Sequence, residues 1–246
     1  MIITRIAPTP SGYLHAGNIA NFVLARNFAN QHAGKLWLRI DDCDSSRVRD
    51  EYLEDIFTTL DWLGIKWDLG PQSVLDFKQN YSQLNKKRTY WEILQKLPTF
   101  VCRCSRKDIR QRVGTLDYDG FCCDQHRSFV RGESVIRLAI APYPVLWTRD
   151  DNPAYNLVSV CDDSSMSITD IIRGEDLRSL GGIQTHLFSL LQNSIPRFHF
   201  HNLILDQDGN KLSKSNLSTS IRSYRQNGAT PNDIFQLISD IALEDF

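Results

Sequence analysis

The sequence predicts an α/β chain organised around a parallel sheet, and three observations carry that reading. Residues 2–6 form a short β-rich run that leads through a Pro/Gly segment into a helix-like stretch at about 17–33. Leu36-Trp37-Leu38-Arg39-Ile40 reads as a buried strand. From Tyr52 onward, Tyr52, Leu53, Ile56, Phe57, Leu60 and Leu63 recur at helical spacing. Strand, helix, strand, helix is the alternation a parallel sheet requires.

The remaining elements follow in order. Gly64 ends the second helix, and another helix is expected over about 80–96. Between residues 101 and 131 cysteines, glycines and charges replace periodic apolar residues, which marks an inserted module. Strand-like runs return at 135–140, 157–161 and 167–172; a helix at 180–192 and a strand at 202–205 then complete the second half of the sheet. Asp206-Gln207-Asp208-Gly209-Asn210 is a turn. Thr230-Pro231 opens a last helix whose apolar face is Ile234, Leu237, Ile238 and Ile241. The expected division is therefore 1–100 for the first half of the main domain, 101–131 for the insertion, 132–216 for the second half, and 217–246 for a C-terminal helical stub. There is no internal repeat or low-complexity linker.

At 246 residues, 41% hydrophobic and 23% charged, the composition is that of an ordinary globular chain. No run has the length of a signal peptide or a membrane span, so a cytoplasmic location is expected. The six cysteines are then read as reduced thiols or metal ligands before disulfides. A formal net charge of −1 supplies no global basic field for nucleic acid, although a local patch can still serve.

Two stretches far apart carry the chemistry. In the first, Arg5 to Asn18, Pro8, Pro10 and Gly12 stiffen and turn a loop after a strand. Gly17 then lets backbone approach a ligand where the next helix begins, and a helix start presents free N–H groups that suit phosphate. His15 adds a side-chain donor. The second, Lys211-Leu212-Ser213-Lys214-Ser215, places two cations and two hydroxyls on a loop. Taken singly, a surface histidine and a solvated lysine loop would be the better readings. Together and in this order they resemble the His-x-Gly-His and Lys-Met-Ser-Lys-Ser elements of class I aminoacyl-tRNA synthetases. The resemblance implies a Rossmann-type catalytic domain. It implies ATP binding by His15, Gly17, Asn18, Lys211, Ser213 and Lys214, with His15 and Lys214 as the catalytic donors. Magnesium is expected with ATP, without an apparent dedicated protein ligand.

The match narrows toward glutamyl-tRNA synthetases through the stretches 5–12 and 36–44, Ala154-Tyr155-Asn156-Leu157, Asp162-Asp163, and Ile172-Arg173-Gly174-Glu175-Asp176-Leu177. That resemblance implies that Arg5 and Arg173 grip the carboxylates of L-glutamate and Asp41 its α-amino group. Ile6, Ala7, Pro8, Thr9 and Tyr155 would line the pocket. Guanidinium forks suit a dicarboxylate substrate. The chain departs from the family where Arg39-Ile40-Asp41-Asp42 replaces Arg-Ile-Glu-Asp, which puts the contact at Asp41 in question.

Cys102, Cys104 and Cys122 have the spacing of three thiolates for tetrahedral zinc, which needs a fourth ligand. Tyr118, Cys123 and His126 compete for that place, and general chemistry favours Cys123 or His126. The Cys-x-Cys…Tyr-x-x-x-Cys arrangement is similar to the zinc module of glutamyl-Q tRNA(Asp) synthetases, and this resemblance implies Cys102, Cys104, Tyr118 and Cys122 as the ligand set. The stretch after Ser215 is also too short for the anticodon-reading region of a glutamyl-tRNA synthetase. The expectation is thus a monomeric ligase that activates glutamate with ATP and transfers it to queuosine in the anticodon of tRNA(Asp). The alternatives are a minimal ligase charging tRNA(Glu), a non-catalytic paralogue binding nucleotide or RNA, or glutamylation of a protein or small molecule.

Overall fold

The computed structural model of the chain describes residues 1–202, 220–239 and 241. Its elements in chain order are β1 (Ile3–Ile6), α1 (Ala16–Gln31), β2 (Lys35–Leu38), α2 (Asp50–Trp62), the single turn α3 (Val74–Asp76), α4 (Lys87–Leu94), β3 (Thr99–Cys102), α5 (Arg106–Val113), β4 (Val135–Leu138), β5 (Val145–Trp147), α6 (Tyr155–Ser165), β6 (Asp170–Gly174), α7 (Arg178–Leu190), β7 (Arg197–His201), α8 (Ile221–Gln226) and α9 (Pro231–Leu237). They divide into two compact units. The first takes residues 1–83, 167–181 and 195 onward, and the second takes 84–166 and 182–194.

In the first unit β1 pairs with β2 in parallel, Arg5 opposite Trp37, and β6 pairs with β7 in parallel, Arg173 opposite Phe200. The Thr169 N–H donates to the Ile3 carbonyl (2.8 Å) and the Ile3 N–H to Thr169 Oγ1 (2.9 Å). β1 and β6 therefore start together and run side by side, although the ladder bonds stay within the two parallel pairs β1–β2 and β6–β7. Ile6, Leu36 and Leu38 of the strands, Ile19, Ala25 and Ala29 of α1, and Leu53, Ile56 and Leu60 of α2 fill the core. The alanines let α1 lie close to the sheet. Gly34 permits the tight return into β2, since a Cβ there would stand 2.6 Å from the Ile2 carbonyl oxygen. The predicted stop of α2 is found at Gly64, in the left-handed region with φ +67°. The predicted start of α9 is also found, with Pro231 in the first turn and Thr230 as its cap. Ile234 and Ile238 are buried and Ile241 packs on the core, whereas Leu237 lies off that face, 43% exposed.

Two expectations are corrected here. The helix expected over 80–96 is broken into a π-helical turn (Phe77–Tyr81), a 3-10 turn (Gln83–Lys86) and α4. Asp42 causes the break: it accepts the Ser82 hydroxyl (2.5 Å) and the Gln83 N–H (2.7 Å), drawing this backbone away from a helical ladder. The strand expected at 157–161 is helix α6, in which Leu157 to Asp163 are all buried. A run buried on every side loses the periodicity that separates helix from strand. A further strand, β7, ends at His201, just before the strand expected at 202–205; residues 203–205 of that expectation and the turn at 206–210 lie outside the described residues. Polar histidines hid β7, yet His199 and His201 are buried and bonded, His199 to Asp170 at 2.8 Å and His201 to Asn21 at 3.3 Å.

The second unit holds an antiparallel sheet in the order β3–β4–β5. The run at 135–140 is thus a strand, β4, but it belongs to this sheet rather than to the parallel one. Tyr90 of α4 donates to buried Asp162 of α6 (2.9 Å), and Lys86 reaches the same carboxylate at 3.3 Å. These bonds fix the α4–α6 pairing. The cysteine-bearing segment lies within this unit and includes α5, whose charged sequence gave no apolar period to read.

Candidate active site

Because β1, β2 and β6 run parallel, their carboxyl ends open on one edge of the sheet, where α/β proteins place ligands. The loop from Ala7 to Leu14 follows β1, and the segment from Arg39 to Asp44 follows β2. Main-chain bonds join the two: the Asp41 N–H donates to the Pro8 carbonyl (2.9 Å), and the Arg49 N–H to that of Pro10 (3.2 Å). Ser11 N–H closes onto the Thr9 carbonyl at 2.8 Å. Ile6 and Pro8 are buried and Thr9 is exposed.

Arg5 and Arg173 are 4% and 2% exposed, one on β1 and one on the adjacent β6. The Arg173 guanidinium lies over the Phe198 ring, 4.9 Å from its centroid, a cation–π contact. Asp41 is also buried, and Arg39 holds it through Nε (2.7 Å) and Nη2 (3.1 Å). Gln83 completes its setting: Nε2 donates to Asp41 (3.0 Å), while Oε1 accepts the Cys43 N–H (3.0 Å). The shorter Asp in place of the family's Glu is thus held by two residues, Arg39 and Gln83. Burial pushes the neighbouring Asp42 carboxyl up, against the lowering bonds from Ser82 and Gln83. Gln83 was not legible as a site residue, because only the fold brings it to Asp41 across 42 positions.

His15 is the N-cap of α1, its N–H donating to Asn18 Oδ1 (3.1 Å) while its carbonyl accepts the Asn18 N–H (2.9 Å). A Cβ on Gly17 would stand 3.0 Å from His15 Cε1 and 3.1 Å from Nδ1, so glycine leaves the imidazole its position. The structure brings Arg5, Asp41, Arg173, His15, Gly17 and Asn18 into the first unit. Tyr155, the first residue of α6 and 38% exposed, belongs to the second. Lys211, Ser213 and Lys214 lie outside the described residues.

In the second unit the sulfurs of Cys102, Cys104 and Cys122 lie within 4.8 Å of one another, with Cys104 and Cys122 at 3.6 Å. Zinc–sulfur bonds of about 2.3 Å in a tetrahedron place sulfurs about 3.8 Å apart, so the set fits the metal. Tyr118 lies beside the group: its oxygen accepts the Cys122 N–H at 2.9 Å, and its ring packs beneath the Arg137 guanidinium at 4.1 Å. Among the described residues, neither Cys123 nor His126 joins the cluster of ligand atoms. Burial pushes the Tyr118 phenol well above its ordinary value and the Cys104 thiol up to about 11. At Cys102 burial also opposes ionisation, but bonds led by that of Tyr118 outweigh it and the thiol falls below its usual value. The segment 101–131 carries seven Lys/Arg against four Asp in a chain of net charge −1. Arg112 is paired with Asp119 at 2.5 Å. Arg106, Lys107 and Arg110 instead face outward on α5, with Gln111 and Leu116, around a hollow of about 440 Å³.

Comparison with known proteins bears on the family and the fold. The family described as "tRNA synthetases class I (E and Q), catalytic domain" matches residues 1–125 and 123–243. The chain is 31% identical to the glutamyl-Q tRNA(Asp) synthetase of Rhodobacter capsulatus, over 96% of this chain and 99% of the relative. It is 32% identical to glutamate–tRNA ligase 2 of Gluconacetobacter diazotrophicus, over 98% of this chain and 61% of the relative. It spans little more than half the length of the glutamate–tRNA ligases it matches. In fold it is similar to a glutamate–tRNA synthetase from Elizabethkingia anophelis, with a TM-score of 0.78 at 20% identity, covering 98% of this chain and 61% of that one. Among the described residues no helix is long and apolar enough to cross a membrane. The chain belongs to the class I tRNA synthetases of the E and Q group, whose Rossmann-type catalytic domain it carries together with an inserted cysteine cluster and C-terminal helices.

Proposed function

We propose that this chain activates L-glutamate with ATP and transfers it to a tRNA. One observation carries the reading: two buried arginines on neighbouring parallel strands, with a rigidly held carboxylate at the end of the next strand. Two guanidinium forks can take the two carboxylates of glutamate, and Asp41 its ammonium group. In the reaction the α-carboxylate attacks the α-phosphorus of Mg–ATP and pyrophosphate leaves. No strong acid or base is needed. Alignment and stabilisation of charge on the phosphates lower the barrier, which are tasks for His15 and the start of α1. Lys211, Ser213 and Lys214 are proposed to supply the second set of phosphate donors. Tyr155 is proposed to line the amino-acid pocket. Zinc held by Cys102, Cys104, Cys122 and Tyr118 would serve structure, with no open position for chemistry.

For the acceptor, most of the similar relatives are named glutamate–tRNA ligases, which favours charging of tRNA(Glu). A second reading, transfer to queuosine in tRNA(Asp), is supported by one specific observation: the Tyr118 oxygen lies on the Cys122 amide beside the thiols, at the residue that the resemblance to the zinc module of that group implies as the fourth ligand. The outward cations of α5 support an RNA partner in either case, since phosphates reward such a face.

Glutamate-dependent ATP–pyrophosphate exchange tests activation, and its absence would overturn the proposal. Labelled glutamate offered to tRNA(Glu), and to tRNA(Asp) with and without queuosine, separates the acceptors. A tRNA lacking its 3′-terminal adenosine sharpens the test. It abolishes 3′ charging and leaves label on queuosine intact.

A further inference from the structure

The loop from Ala7 to Leu14 is tied at a third point beyond its bonds to Asp41 and Arg49. The Ile221 N–H at the start of α8 donates to the Leu14 carbonyl at 2.8 Å. Leu14 immediately precedes His15, and Ile221 is fully buried, so α8 is seated against the last turn of the loop. Beside this bond stands a cluster of side chains that the proposed reaction does not use. Arg222 of α8 donates to the Tyr13 hydroxyl, and its guanidinium carbon stands 4.6 Å from the centre of the Tyr13 ring. The Tyr13 hydroxyl in turn donates to Glu51 of α2 at 2.8 Å, and the Tyr52 ring meets Tyr13 edge-on at 4.8 Å. A cation, a phenol and a carboxylate thus form a chain from α8 through the loop to α2, each link assisted by charge.

We propose that Arg222 is a positioning residue: through Tyr13 and Glu51 it clasps the loop from α8 and thereby fixes His15, two residues on, for binding of a nucleoside triphosphate. The inference deepens the reading of the site as ATP-binding and rests on it. Pro8, Pro10 and Gly12 shape the first part of the loop, but none of them restrains residues 13 and 14. The clasp does, and it acts where a small misplacement of the imidazole costs most.

The test is kinetic and thermodynamic together. Arg222→Ala is expected to raise the KM for ATP in pyrophosphate exchange by about five- to tenfold, the scale of one exposed cation–π contact with a hydrogen bond. The KM for glutamate and the thermal midpoint should stay near those of the parent. Arg222→Lys keeps a cation over the ring and should recover part of the loss. Tyr13→Phe combined with Arg222→Ala should cost no more than the worse single change. A loss spread equally over both KM values and kcat with a lowered midpoint, or no change in the KM for ATP, would overturn the clasp. Calorimetric titration of ATP keeps the two readings apart. If the parent binds ATP without exchange, activation fails while the Arg222→Ala affinity still tests the clasp. A parent that does neither overturns both.

Discussion

At the two ends of the parallel strands, polar side chains hold one another around a large apolar core: at the carboxyl rim Arg39 and Gln83 fix Asp41 and Asp42 fixes the turn at Ser82, and at the starting edge Asp170 fixes His199. The cysteine segment has no such surroundings. Its cluster numbers five buried residues, Phe100, Cys102, Ile109, Tyr118 and Cys122, and two of these offer sulfur rather than hydrocarbon. So small an apolar group supplies little burial energy, and a closed metal site can supply it instead. The contrast teaches where each region is vulnerable. The rim fails when one partner of a buried charged group is removed, and the segment, on the proposed zinc site, should fail when the metal is withdrawn.

The rim should show the largest effects. Arg5→Ala or Arg173→Ala is expected to lower glutamate-dependent exchange by about 10²–10³-fold or more, the usual loss for a well-placed charged donor. Arg173→Lys separates charge from geometry, because an ammonium retains the charge and loses the fork. If it retains near-parental kcat/KM for glutamate, bidentate recognition at Arg173 is wrong. The segment should respond differently. Chelation, or Cys102→Ser, should remove one equivalent of zinc and expose residues 103–131 to proteolysis, while cleavage within β1, α1 and β2 stays as slow as before. Tyr118→Phe should weaken zinc by about 10–100-fold if the phenol is a ligand, and equal zinc retention would return the fourth place to another group.

What could be read from the sequence divides along the same line. The parallel half was legible because its strands and helices alternate with clean periods, and its motifs are contiguous: His15, Gly17 and Asn18 lie within four residues. The partners that complete it are distant in sequence and became visible only in the fold. Gln83 reaches Asp41 across 42 positions and Arg222 reaches Tyr13 across 209. The helix α6 was misread for the opposite reason, since complete burial erased its polar face. In the cysteine segment the ligand spacing was legible, but the fourth ligand was not decided by chemistry alone. Tyr118 stands out only where its oxygen meets the Cys122 amide and its ring packs under Arg137.

A milder test concerns charge on the surface of that segment. Arg106 and Arg110 are four apart on α5, and like charges at that spacing cost an isolated helix a few tenths of a kcal/mol. No acid pairs with them or with Lys107 among the described residues, which fits a face that meets phosphate. Replacing all three with glutamate should reduce affinity for tRNA at least tenfold and flatten its dependence on salt, leaving exchange without tRNA unchanged. Unaltered affinity across a salt series would show that the face meets solvent only.

The smallest effect concerns the acid response of two buried carboxylates, Asp170 at the starting edge of the sheet and Asp42 at its rim. Asp170 is fully buried; burial alone would raise its carboxyl, but bonds from His199, Thr169 and Arg197 outweigh it and hold the group below its ordinary value. Its contribution to stability is therefore complete above the unfolded carboxylate value of about 3.9 and is lost as pH falls through the depressed folded value. Asp42 has the opposite sign, since burial leaves its carboxyl raised despite Ser82 and Gln83. Acidification protonates it in the native state first, which adds stability as pH falls toward the unfolded value. Urea midpoints followed from pH 7 to pH 3 should thus fall less steeply in Asp170→Asn than in the parent, and more steeply in Asp42→Asn. Parallel curves for both variants would mean that neither carboxylate feels the fold, and that both ends of the sheet are held by shape rather than by their charges.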